Sequence, residues 1–156
     1  MAFTKSYITE DGLALLTKLE TLKENLVISS VVGASGLDPG IPPSEMTEVP
    51  FPAFQFQTLQ GVLYNGPNQI VIPLYYENSQ QLNSISLTEI GLYADDPEGG
   101  TVLLAVSTSY DQPMPPPRFA EGRLELTIGF LLEFSLTEGI PIELPSRVVY
   151  LTRPAA

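Results

Sequence analysis

The chain has 156 residues, 44% hydrophobic and 16% charged, with 18 acids against 7 bases for a formal net charge of -11. Such a composition builds one domain, residues 1–156, with a real core, while the acidity reads as a solubility device and disfavours phosphate-backbone and anionic-membrane partners, which require cations. Cysteine and histidine are both absent, so no disulfide framework, thiolate nucleophile, Cys/His zinc site or Ser-His-Asp triad can be built, and an enzyme would be confined to carboxylates, lysine, tyrosine or oxygen-ligated metals.

In chain order, the opening Met1-Ala2-Phe3-Thr4-Lys5-Ser6-Tyr7 carries no basic region followed by an apolar one, so no secretory signal is expected. A helix is expected from about Glu10 to Glu24. Thr9 fits the N-cap, Glu10 and Asp11 place negative charge in the first turn, and Leu13, Leu16, Leu19 and Leu22 recur along a face that Leu15 and Leu26 widen. Gly12 weakens the helix slightly. A short strand, Leu26 to Val32, follows. Residues 33–52 then interrupt regular structure with Gly33, Gly36, Pro39, Gly40, Pro42, Pro43, Pro50 and Pro52. A connection this long points to contacts rather than linkage.

From Phe54 the pattern is antiparallel β. The runs Gln55–Tyr64 and Gln69–Tyr76 flank Asn65-Gly66-Pro67-Asn68, a hairpin turn by its Asn-Gly. Pro73 has no ladder donor, which places the second run at an edge or a bulge. In the strand from Ile85 to Ala94 the apolar parity changes between Leu87 and Ile90, predicting a bulge near Thr88 and Glu89 or a strand buried on both faces. An acidic turn, Asp95-Asp96-Pro97-Glu98-Gly99-Gly100, leads into Val102–Thr108. The segment from Tyr110 to Gly122 is expected to be partly polyproline II. Then Leu124, Leu126, Ile128, Phe130, Leu132 and Phe134 alternate as a strand with one face in the core. A last short strand is expected from Val148 to Leu151. No run approaches the roughly 18–20 apolar residues of a transmembrane helix, and no repeat or sustained heptad is present. The fold class is α+β: one N-terminal helix packed on a mainly antiparallel β-sheet, with long Pro/Gly-rich loops.

Candidate chemistry is sparse. Asp95, Asp96 and Glu98 lack the alternating ligands of a calcium loop and read as a solvated turn, so no metal and no cofactor is expected. Glu89, Glu125, Glu133 and Glu138 are conceivable members of a glycosidase carboxylate pair, with Glu89 the one to inspect. Gly33, Gly36 and Gly40 lack the lysine and spacing of a phosphate loop. Phe51, Phe54, Phe56, Tyr64, Tyr75 and Tyr76 suit a core better than a sugar platform. The two Pro-rich loops are the partner-contact candidates, through Pro39, Ile41, Pro42 and Pro43 in the first and Pro113, Met114, Pro115, Pro116, Pro117, Arg118 and Phe119 in the second. Pre-ordered backbone loses less entropy on docking. The alternative is that both loops merely cap the sheet.

Several motifs in order resemble the phage tail-collar fibre family, the domains that fasten fibres to the baseplate of contractile tails. Ile8-Thr9-Glu10-Asp11-Gly12-Leu13 is similar to the family's ITxxG-L opening, and Val31-Val32-Gly33-Ala34-Ser35-Gly36 lies where a V-G-x-G turn is typical. Glu89-Ile90-Gly91-Leu92-Tyr93 resembles the E-[IL]-G-[LI]-[YF] strand, and Pro115-Pro116 lies where members carry prolines before the final long strand. The resemblance spans most of the chain. It implies a structural virion protein of the tail, made in the host cytoplasm, with no catalytic residues. Its implied partners are baseplate wedge and fibre proteins, its implied state a homotrimer, with no nucleic-acid binding and no membrane insertion. Members usually continue into a shaft and tip, so a separate adaptor subunit is also expected, in a phage or a bacteriocin-like particle. The alternative function is a carbohydrate-binding or carbohydrate-cleaving domain acting on host surface glycans.

Overall fold

A computed structural model describes residues 6–35, 40–49, 52–58, 63–64, 69–77, 87–109, 125–133 and 142–143. The chain begins there with a short strand, β1 (Ser6–Ile8), and turns directly into the helix α1 (Glu10–Leu22). Thr9 stands between them in extended conformation, and its hydroxyl oxygen accepts the Gly12 N–H at 2.8 Å. One orphan donor of the first turn is thereby satisfied, as the sequence predicted. Gly12, Leu15, Leu16 and Leu19 form the buried stripe, the i, i+3, i+4, i+7 spacing of a helix face. Burying Leu16 and Leu19 contributes about 1.5–3 kcal/mol each.

Leu13 and Leu22 depart from the expected stripe: they are 55% and 49% exposed. A three-residue step falls short of a full turn by about 60°, so four leucines so spaced drift around the helix. Leu16 and Leu19 take the centre and the outer two leave the face. The helix closes at Lys23, whose φ of 58° is left-handed, a conformation more often given to glycine.

The remaining described elements are β2 (Leu26–Ala34), a 3-10 turn (Pro43–Glu45), β3 (Pro52–Thr58), β4 (Leu63–Tyr64), β5 (Gln69–Glu77), β6 (Glu89–Asp95), β7 (Thr101–Thr108), β8 (Glu125–Glu133) and β9 (Ile142–Glu143). The strands run in the order β1-β7-β6-β2-β3-β5-β4, with β8 also on β5 and β9 on β2. The β2–β9 pair is parallel, Leu26 opposite Ile142 and Val27 opposite Glu143; the other pairs among the described residues are antiparallel. One helix on a mainly antiparallel sheet is the expected α+β class. The strands β1 and β9 were not foreseen, and the strand expected at Val148–Leu151 lies outside the described residues.

The strand β3 hands the sheet from one partner to the next. Its Phe54 and Phe56 pair with Gly33 and Val31 of β2, whereas Gln57 and Thr58 pair with Tyr75 and Leu74 of β5. With β8 brought back against β1, the sheet curls around one core. Leu15, Leu16 and Leu19 meet Ile28, Leu74, Ile90, Leu92, Leu104 and Phe130 there. Phe56 and Tyr76 join it edge to face, with centroids 6.2 Å apart and planes at 71°, a geometry worth about 0.5–1.5 kcal/mol beyond burial.

Two expectations need correction. The strand with Pro73 is interior: Pro73 pairs with Gly129 of β8 on one side, while β3 and β4 lie on the other. On that second side Pro73 lies between Leu74, the partner of Thr58 at the end of β3, and Val71, the partner of Leu63 at the start of β4. Of the two readings offered for β6, burial on both faces holds, since Glu89, Ile90, Gly91, Leu92 and Ala94 are buried, while the bulge expected near Thr88 and Glu89 is displaced. Leu87 makes an isolated bridge, Thr88 is the break, and β6 runs without interruption from Glu89. The extra residues belong to the neighbours. Leu104 of β7 is inserted opposite the Leu92–Tyr93 step, and Ser29 of β2 between the partners of Ala94 and Tyr93. Ile90, Leu92 and Ala94 therefore face the helix-bearing core, and Gly91 and Tyr93 face the other way.

Candidate functional site

The bulge at Leu104 is where the helix is fastened. Extra length in β7 turns two successive carbonyls toward the helix start: the Thr9 N–H donates to Leu104 O at 3.0 Å, and its hydroxyl donates to Leu103 O. Thr9 is fully buried. A Cβ on Gly12 would come within 2.1 Å of Leu104 O, so the absence of a side chain is what lets the helix reach the strand. Sequence reasoning treated Gly12 as a slight cost, since propensity is local and this contact is between residues distant in sequence.

On the opposite face, residues 40–49 lie across β6 and β7 as a strap. Met46 and Val49, 5% and 4% exposed, pack with Ala34, Leu103, Val106 and Tyr93 in a second apolar cluster. The Val49 N–H donates to the Tyr93 hydroxyl at 3.0 Å. Beneath Val49 is Gly91, whose Cβ, if present, would lie 2.2 Å from Val49 Cγ2. The strap is closed on itself by the 3-10 turn, where the Glu45 N–H donates to Pro42 O at 2.9 Å and the Met46 N–H to Pro43 O at 3.2 Å. Pro42 holds φ -57° and ψ 138°, close to polyproline II. Ile41 is 48% exposed, and Pro42, Glu45 and Glu48 are exposed with it.

Of the partner-contact candidates, the structure thus places Ile41, Pro42 and Pro43 together on the strap. Pro39, Pro113, Met114, Pro115, Pro116, Pro117, Arg118 and Phe119 lie outside the described residues. Met46, Val49 and the Tyr93 hydroxyl were missed as anchors. Their signal was two apolar residues three apart in a polar stretch, plus the terminal tyrosine of the Glu89–Tyr93 motif.

The acidic turn is a clamp. Lys18 of the helix lies 3.0 Å from Asp96 Oδ1 and 2.9 Å from Glu98 Oε1. Asp96 Oδ1 also accepts the Glu98 N–H at 2.9 Å, and the Asp96 N–H donates to Gly100 O. The Glu98 N–H and, next, the Lys18 ammonium hold the Asp96 carboxyl below its ordinary range. Hydrogen bonds to Glu98 and then Asp96 raise Lys18 in turn. Among the described residues no group of acids is arranged to hold a metal ion.

Among the described residues the carboxylates considered for glycan chemistry are not brought together. Glu89 is fully buried, beyond the reach of a polysaccharide. Glu125 and Glu133 occupy opposite ends of β8, about 26 Å apart along the strand, whereas a carboxylate pair needs about 5–9.5 Å. Glu138 lies outside the described residues. Phe56, Tyr75 and Tyr76 are buried, while Phe51 and the side chains of Phe54 and Tyr64 lie outside what the structure describes. No helix among the described residues is long and apolar enough to cross a membrane.

No protein-family model, no curated protein and no solved structure matches this chain.

Proposed function

We propose that this chain is a non-catalytic attachment module of a contractile tail or related injection particle. It joins fibres to the baseplate, either as the N-terminal module of a fibre or as a separate adaptor subunit, and works as a homotrimer with baseplate wedge and fibre proteins as partners. One observation supports this reading above the others: the residues that carry the resemblance to tail-collar fibre proteins hold packing roles at two adjoining junctions. Thr9 and Gly12 fasten the helix to β7. Gly91 and Tyr93 seat the strap, and Gly33 pairs with Ile90 between them. A resemblance carried by scaffold contacts fits a protein whose task is to hold others in place.

The test is electron microscopy of particles assembled without this protein. Intact tubes and baseplates lacking fibres are the expected outcome. Normal fibre occupancy would overturn the proposal.

A further inference from the structure

We propose that the strap, residues 40–49, is a rigid docking element whose tip, Ile41 and Pro42 flanked by Glu45 and Glu48, inserts into an apolar pocket edged by lysine or arginine on a partner protein. Three observations converge on it. First, the strap is held from beneath at a cost to the sheet: β6 gives up a side chain at Gly91 to admit Val49, and Tyr93 spends its hydroxyl on the Val49 N–H. Second, two prolines and a closed 3-10 turn remove most of the freedom that docking would otherwise have to remove. Third, Ile41 stays half exposed on that locked backbone although Met46 and Val49 beside it are buried.

The chemistry commits the occupant. Glu45 and Glu48 have no cation paired with them among the described residues, and residues 40–49 contain no lysine or arginine. Such a rim repels nucleic acid and anionic lipid and favours a basic one. Leu13 and Leu22, the other exposed large apolar residues described, stand at different ends of the helix and share no such frame. The inference rests on the attachment reading only for where the partner is found.

The experiment places photoreactive benzoylphenylalanine at position 41 of the full chain in particle-producing cells, irradiates, and sequences the cross-linked peptide. A single partner is expected, labelled at an apolar segment with lysine or arginine neighbours. The double substitution Glu45→Lys and Glu48→Lys should lower the yield roughly tenfold, as rim pairs turned repulsive would do, and exchanging the partner's base for glutamate should restore it. Label spread over many proteins, or a yield indifferent to charge reversal, would overturn the proposal. Ile41→Asp, which alters the surface without touching the core, keeps the two readings separable. If fibres are lost on removing the chain yet Ile41→Asp particles keep full occupancy, attachment stands and strap docking falls. If the charge-dependent partner is no particle component, docking stands and the attachment reading falls.

Discussion

Gly12 shows how a single missing side chain is decided by magnitudes. Alanine would favour an isolated helix by about 1 kcal/mol over glycine. Here its Cβ would meet the Leu104 carbonyl at 2.1 Å, and a backbone atom within a bulged strand has little room to yield. Overpacking of this kind costs about 1–3 kcal/mol, occasionally more, and prying Thr9 from Leu103 and Leu104 adds lost hydrogen bonds. Gly12→Ala is therefore expected to lower the free energy of unfolding by a net of about 2 kcal/mol, read as an earlier denaturation midpoint; a stabilised variant would show that the helix does not press on β7. At Lys18 and Asp96 the sign follows from the shifts. Asp96 is depressed, so its contribution is full above the ordinary carboxyl value and is lost as pH falls through the lower folded value. Lys18 is raised, so its contribution is full below the ordinary lysine value and disappears only as pH rises through the higher folded value. In Lys18→Met, an NMR titration should find the Asp96 carboxyl moved upward yet still below normal, because the Glu98 N–H remains. An unmoved carboxyl would mean that the clamp is not formed in solution.

Among the elements, the helix was the most legible, because its cap, first-turn acids and 3.6-residue spacing are all local. What spacing could not decide was which leucines win the core, and Leu13 and Leu22 lost it to the geometry of drift. Strand β5 teaches the same lesson. Pro73 argued for an edge or a bulge on local chemistry, but the place of β5 is set by β8 on one side and β3 and β4 on the other, a fact about its neighbours. The strap was legible as a Pro/Gly loop and illegible as a seated element, because Met46 and Val49 acquire meaning only above Gly91 and Tyr93. Gly91→Ala is expected to lift Val49 while leaving the sheet ladder in place. Amide exchange at Val49 and proteolysis within residues 40–48 should quicken at least severalfold, as for a segment whose local opening costs less, with the far-ultraviolet spectrum unchanged. Unaltered exchange at Val49 would show that the strap is not held by that contact.

At the scale of the whole molecule, a formal net charge of -11 suits a partner of opposite sign and accords with the basic pocket inferred for the strap. The loss of fibres on removing this chain is the prediction that belongs to this scale, since it concerns assembly rather than any one contact. By itself the sequence determined the α+β class, the position of the helix, the Thr9 cap and the exclusion of cysteine and histidine chemistry. Each of those depends on composition or on neighbours a few residues away. Tertiary structure alone decided the strand order, the bulges at Leu104 and Ser29, the interior place of Pro73 and the seat of the strap. Those follow from pairings between segments far apart in the chain, where the same local pattern fits several registers and packing selects one.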